Sequence, residues 1–414
     1  MKLKHNYILI YYFLLYLSLL AGFFFNEDFA GGFRYDFNIH KNLIKDLFDE
    51  SLIYGLVNYD KNYVPHSPLF IIYLSISKKI FYSEELFRLF NLHTFLLIPL
   101  FVGLSLKAKF NFERNDIRYL LPSIFLLSPY FRAGSIWTDD NVFALIFFSI
   151  SIFNFINYEN KKSDFKYVIY FIIFFSLACY FRPIYSIFSI YFSIIFFRDF
   201  GLNKKLLFYI LLNLLLAYPA FYYVFILGVN KWATEYLFRE NIITQISLVS
   251  SVIFFYLIPF IIIDIKNKFK EILNYKNLIG CIIFSILLFL FFDYQLGYSG
   301  GFFFKLSNLI LSNNYLFFVI SPISLLVIYN LFFKNILNYR NLDFLLVVIL
   351  FLLEIDGVIY HETYDPLIYI LVLLLIKNEF IKKFIINFNL KRFSVIFSFL
   401  IFFYFSSVIK TFIF

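Results

Sequence analysis

Charge is scarce in this chain. Only 15% of its 414 residues are Asp, Glu, Lys or Arg, where an ordinary soluble domain carries about 25%, and no polar stretch is long enough to enclose a soluble domain of any size. Cysteine is nearly absent: Cys179 and Cys281 each lie inside an apolar segment, which argues against both a disulfide framework and a metal cluster. No internal repeat is visible, against an inverted-repeat transporter. The net charge of +9 would suggest nucleic acid if the cations clustered on one face, but they stand at the ends of apolar runs. Lys2 and Lys4 precede an apolar run too long for a signal peptide and without a small-residue cleavage site, so that run is read as a retained first span.

What is abundant is hydrocarbon. Hydrophobic residues make up 62% of the chain, and the mean hydropathy is +0.79; this composition defines an integral membrane protein. The 65 Phe and 34 Tyr are what an AT-rich coding bias produces and carry no binding signature by themselves.

Because ~20 residues cross a ~30 Å hydrocarbon layer, the apolar runs predict spans at 7–25, 86–106, 118–131, 138–157, 167–181, 184–197, 206–227, 246–263, 277–292, 314–333, 342–356, 366–376 and 393–413. The fold class is therefore all-α, a single polytopic transmembrane domain over 1–414 with about thirteen spans. Residues 68–82 are read as a helix lying in the interface. With that choice the loops on the N-terminal side are basic and the opposite loops collect the acids, which places the N-terminus in the cytoplasm and the C-terminus outside.

The first external loop, 26–85, is the longest. It carries Gly31-Gly32-Phe33-Arg34-Tyr35-Asp36-Phe37-Asn38-Ile39-His40, then Tyr59-Asp60 and Pro65-His66-Ser67-Pro68. Ile39, Leu43, Ile44, Leu47, Phe48, Leu52 and Ile53 fall on one helical face opposite Lys41, Lys45, Asp46, Asp49 and Glu50, the pattern of a surface helix. Pro65 and Pro68 open a second one.

Asp36 and His40 are four apart and share a helical face. Asp36 suits a general base whose pKa partial burial would raise; it equally suits a cap on the surface helix. Glu27 and Asp28 follow as candidates, or simply mark the membrane exit. Asp139, Asp140 and Asn141 at the mouth of a span are costly unless they meet partners or water. They are read as ligands of substrate hydroxyls, as helix caps, or as holders of a divalent cation on a phosphate.

The first loop resembles the C superfamily of polytopic glycosyltransferases, which use polyprenyl-phosphate sugars and place an acidic residue between two surface helices. More narrowly, Asp36-Phe37-Asn38-Ile39-His40, Tyr59-Asp60 and His66-Ser67-Pro68-Leu69-Phe70 resemble the dolichyl-phosphoglucose-dependent alpha-1,2-glucosyltransferases. Phe37 stands where that family has Glu, Tyr59 where it has Trp, and Ser67-Pro68 replaces its paired prolines. Bacterial protein mannosyl- and aminoarabinose transferases are similar at the opening of the second helix. The match covers about the first 90 residues.

The resemblance implies an inverting hexosyltransferase that moves a sugar from a polyprenyl-phosphate donor to a glycan, lipid or protein acceptor on the external face of a bacterial inner membrane or the ER. Asp36 is then catalytic, and His40, Asp60, His66, Asp139, Asp140, Asn141, His361, Glu362 and Tyr364 bind substrate. His361-Glu362-Thr363-Tyr364 resembles a Glu-Arg-Tyr or His-Tyr segment of related transferases, with Thr363 in the Arg position. Arg182, Arg132 and Lys305 are candidates for the donor phosphate; snorkelling to lipid headgroups is the alternative for Arg182, and the preferred reading of Arg88 and Arg239. No cofactor is implied; such transferases generally work without metal, and a divalent cation at Asp139-Asp140 is the minor alternative. The competing classes are a transporter or flippase for a lipid-linked glycan, which needs ionisable residues inside several spans, and a glycan polymerase, which normally carries its large loop late in the chain.

Overall fold

The structure is a computed structural model; it describes residues 4–48, 51–59, 67–113, 115–162, 164–226, 228, 241–263, 275–295, 299–334, 342–354 and 358–413. It is 82% helix, without strands among the described residues. Eight of the described helices are long and apolar enough to cross a membrane: His5–Phe24, Glu84–Phe110, Asp140–Asn160, Pro183–Phe200, Lys204–Ile226, Ile242–Ile261, Tyr315–Phe333 and Leu390–Thr411. This is compatible with a polytopic membrane protein.

Each of these eight matches a span expected from the sequence, and the other expected spans are shorter. The run at 118–131 is divided, because Ser128 leaves the helical conformation ahead of Pro129 and caps a new helix, Pro129–Trp137, accepting from the Phe131 N–H at 3.1 Å. Of the described residues in the run at 342–356, Asp343–Phe351 form the helix. The run at 366–376 ends in a π turn, Leu371–Leu375. Lys166–Phe181 and Tyr275–Phe291 are apolar but below spanning length.

Packing divides the chain into two compact units, Met1–Glu235 with Ile401–Phe414, and Tyr236–Leu400. In the first unit, helix Asp140–Asn160 is the centre. Phe181 stacks on Phe143 and Phe147 at 5.4 and 5.3 Å, while Phe155 meets Phe171, Phe192 and Phe196. The phenylalanine richness is spent on this ring-against-ring core. Lys204–Ile226 is the opposite case: only 6% of its apolar window is buried within the protein, as befits a helix bathed in lipid. In the second unit, Ile242–Ile261 is the buried helix, packed against Phe302–Leu311 and Tyr315–Phe333.

Within 26–85 the helices are Phe33–Phe48, the short Leu52–Val57 and Pro68–Ile80. The first is amphipathic, but its buried stripe is Phe33, Phe37, His40 and Ile44, with Ile39 37% exposed. Leu52 and Ile53 do not continue that stripe, because Ser51 caps a separate helix through the Tyr54 N–H. Pro68 occupies the first turn of the third helix, as expected from its fixed φ.

Candidate active site

In the first unit, helix Pro129–Trp137 stops where Thr138 turns left-handed (φ 60°). Asp139 is then extended, and its Oδ1 accepts from the N–H groups of Asn141 at 2.9 Å and Val142 at 3.4 Å. The capping role anticipated for Asp139 is thus realised, and the turn sets Asp139, Asp140 and Asn141 at the positive end of a 21-residue helix.

A cation arrives from the other direction. Arg182 ends helix Lys166–Phe181, where the adjoining Pro183 begins the next element. Its Nη1 donates to Asp140 Oδ1 at 2.9 Å; the Asp140 side chain is 3% exposed and that of Arg182 23%. Tyr185, one 3-10 turn on, donates its hydroxyl to Asn141 Oδ1 at 3.1 Å. Burial raises the Asp139 carboxyl well above the usual range; the neighbouring charges of Asp140 and Asp36 push it further, and Arg182 opposes them. The charge of Asp36 is thus felt at Asp139.

Asp36 is half-buried in the first turn of Phe33–Phe48. At the start of that helix Asp28 Oδ2 accepts from the Arg34 N–H at 3.2 Å, and Gly32 supplies the first carbonyl, to Tyr35 and Asp36. Positive φ at Gly31 and Gly32 (81° and 71°) makes that entry possible. Burial, with the nearby Asp36 charge adding to it, raises the Asp28 carboxyl to about 6, against backbone hydrogen bonds from Arg34 and Phe33. His40, one turn beyond Asp36, is buried edge-on to Phe70 at 5.2 Å. Asp60 and His66 lie outside the described residues.

Arg132, a candidate for the donor phosphate, is engaged by protein atoms. Nε and Nη2 grip Glu27 bidentately at 2.8 and 2.7 Å; Nη1 donates to Ser18 Oγ and Leu126 O, and Nη2 also to Ser18 O. A guanidinium has five N–H groups, and protein atoms take all five. Trp137 Nε1 donates to the Glu27 carbonyl at 3.0 Å, which ties the exit of the first helix to this cluster.

Arg88, expected to snorkel, is 4% exposed. Its Nε donates to Ile136 O at 2.9 Å, its Nη1 to Asn26 Oδ1 at 3.1 Å, and its guanidinium lies 3.6 Å over the Trp137 ring. Partners 48 and 62 residues away leave no local trace in the sequence.

The remaining candidates lie in the second unit. His361 is buried, and its Nδ1 is 2.8 Å from the Tyr256 hydroxyl, which is also 3.4 Å from Asp365 Oδ2. Gly301, at φ 89°, passes close to His361 Nε2. Tyr364 is buried, Glu362 is half-buried, and Thr363 donates to Glu354. Lys305 sits on helix Phe302–Leu311. Tyr256 and Asp365 were not anticipated: Tyr256 sits in an apolar run with nothing to mark it. Among the described residues, no three His, Cys, Asp or Glu side chains group as metal ligands.

Comparison with protein-family models, with curated proteins and with solved structures finds no match to this chain.

Proposed function

We propose that this protein is a membrane glycosyltransferase that takes its sugar from a polyprenyl-phosphate carrier on the external face, the N-terminus being cytoplasmic. The observation that carries the reading is the Arg182–Asp140 ion pair at the mouth of a buried apolar helix, beside Asp139, whose carboxyl also feels the charge of Asp36.

Asp36 is half-buried beside carboxylates, within reach of a hydroxyl that needs a base. In the proposed step the acceptor hydroxyl oxygen attacks the anomeric carbon from the face opposite the donor phosphate. Its proton passes to Asp36, the carbon–oxygen bond to the phosphate breaks, and the electron pair leaves on the polyprenyl phosphate. Arg182, held in place by Asp140, meets that developing charge. In this reading Asp139, Asn141 and His40 orient hydroxyls of the acceptor.

The test is Asp36→Asn expressed in a strain deleted for this chain, with the glycan product and the accumulated lipid-linked sugars read by mass spectrometry. Loss of product with normal expression is expected. Wild-type glycosylation by this variant overturns the assignment of Asp36.

A further inference from the structure

Helix Phe33–Phe48 presents two chemically different sides. At 3.6 residues per turn, Arg34 is roughly 200° around the helix from Asp36, and Arg34, Asn38 and Lys41 recur at three- and four-residue spacing along that other side. There the helix borders a cleft of about 460 Å³ lined by Asn26, Arg34, Asn38, Ser83, Glu84, Glu85, Arg88 and Trp137.

The wall of this cleft is built around one indole. The guanidinium groups of Arg34 and Arg88 lie 5.3 and 3.6 Å from the Trp137 ring. Two like charges gathered on one aromatic repel each other, and the rim carboxylates Glu84 and Glu85 offset part of that repulsion. Arg88 is held rigidly by Ile136 O and Asn26, yet its Nη2 is buried and meets no hydrogen-bond acceptor among the described residues. A buried guanidinium N–H left without an acceptor is costly, and here the Trp137 and Phe23 rings alone lie against that group besides its two hydrogen bonds, among the contacts described. Of the two carboxylates at the rim, Glu84 is already engaged by Lys41 at 2.5 Å. Asn26, Asn38 and the Ser83 hydroxyl add neutral hydrogen-bonding groups.

We propose that this cleft binds a phosphate group, with Arg88 and Arg34 as its cationic ligands and Trp137 as the platform that fixes them. A tetrahedral oxyanion accepts from two guanidinium forks at once. The group comes either from the headgroup of an anionic lipid or from a phosphate in solution. The assignment does not depend on the transfer chemistry proposed above, since Asp36 and Arg182 take no part in it.

The chain contains two tryptophans, so Trp232→Phe leaves Trp137 as the single indole reporter. In that background the purified full-length protein is placed in phosphatidylcholine nanodiscs, and Trp137 emission is titrated in two arms. One arm adds inorganic phosphate against matched chloride; the other raises the fraction of phosphatidylglycerol in the disc. A saturable change in the second arm alone identifies a lipid headgroup, and one in the first identifies a soluble phosphate. Arg34→Gln, at an exposed position tolerant of change, is expected to weaken the apparent affinity about tenfold, as loss of one charged hydrogen-bond pair does. Arg88→Lys, which keeps the charge and removes the fork, is expected to weaken it comparably. No response in either arm, or a response unchanged in both arginine variants, overturns the proposal.

Discussion

Glu27 and Arg132 form a bidentate ion pair whose side chains are 3% and 4% exposed. The pair joins the loop after helix His5–Phe24 to helix Pro129–Trp137, 105 residues away in sequence, and Tyr404 from the last helix covers the guanidinium at 5.2 Å. It is the mechanical support behind the acidic site rather than a member of it.

Breaking that pair on one side leaves an uncompensated buried charge. Glu27→Gln is therefore expected to cost about 3–5 kcal/mol, read as a large fall in melting temperature of the detergent-purified protein. Gly22→Ala reaches the same pair from below, because a Cβ there would stand 2.2 Å from Glu27 Oε2. It should destabilise in the same direction, although alanine is the better helix former. A Gly22→Ala protein as stable as the parent would contradict the close packing described.

Arg182 is the counter-ion among the carboxylates around it. Arg182→Gln is expected to lower stability at neutral pH and to recover as pH falls. The Asp139 carboxyl is raised in the folded protein, so its contribution is present at low pH and lost as pH rises through its folded pKa. Without Arg182 it rises further. Adding Asp140→Asn should restore part of the loss at neutral pH, and the double-mutant cycle should show coupling on the order of 1 kcal/mol or more.

Asp28 gives a narrower window. Its carboxyl is raised from 3.8 to about 6, so folding stability should fall as pH rises between those values, the charged form being disfavoured in the native state. Asp28→Asn keeps an oxygen to cap Arg34 N–H and removes the titration. Its melting temperature should be flatter across that interval than the parent's.

In the second unit, Tyr256→Phe withdraws the hydroxyl shared by His361 and Asp365. A buried polar pair left short of a partner costs about 1–3 kcal/mol. Thermal unfolding followed by circular dichroism reads the loss directly.

The apolar runs were legible because lipid imposes a length on them, and among the described residues eight helices long and apolar enough to span stand where those runs predict. Asp139 and Asp140 were legible as a helix start, and Arg182 as a cation at a turn, because capping and proline are local signals. The division of 118–131 at Ser128 was written in the sequence as Ser-Pro, but hydropathy averages across it. Glu27 with Arg132, Arg88 with Trp137 and Tyr256 with His361 were not legible: each joins residues 49 or more positions apart, and charge at the end of a span looks the same whether it meets lipid or a buried partner. Asp28 took the cap role that Asp36 equally suited, since a side chain six residues upstream breaks the usual capping spacing.

One short amphipathic rod, Phe33–Phe48, bears both Asp36 and Arg34, on nearly opposite flanks of its buried stripe. The two sides of one helix thus carry opposite charge: its acidic flank faces the neighbourhood of Asp139, and its basic flank borders the cleft lined by Trp137.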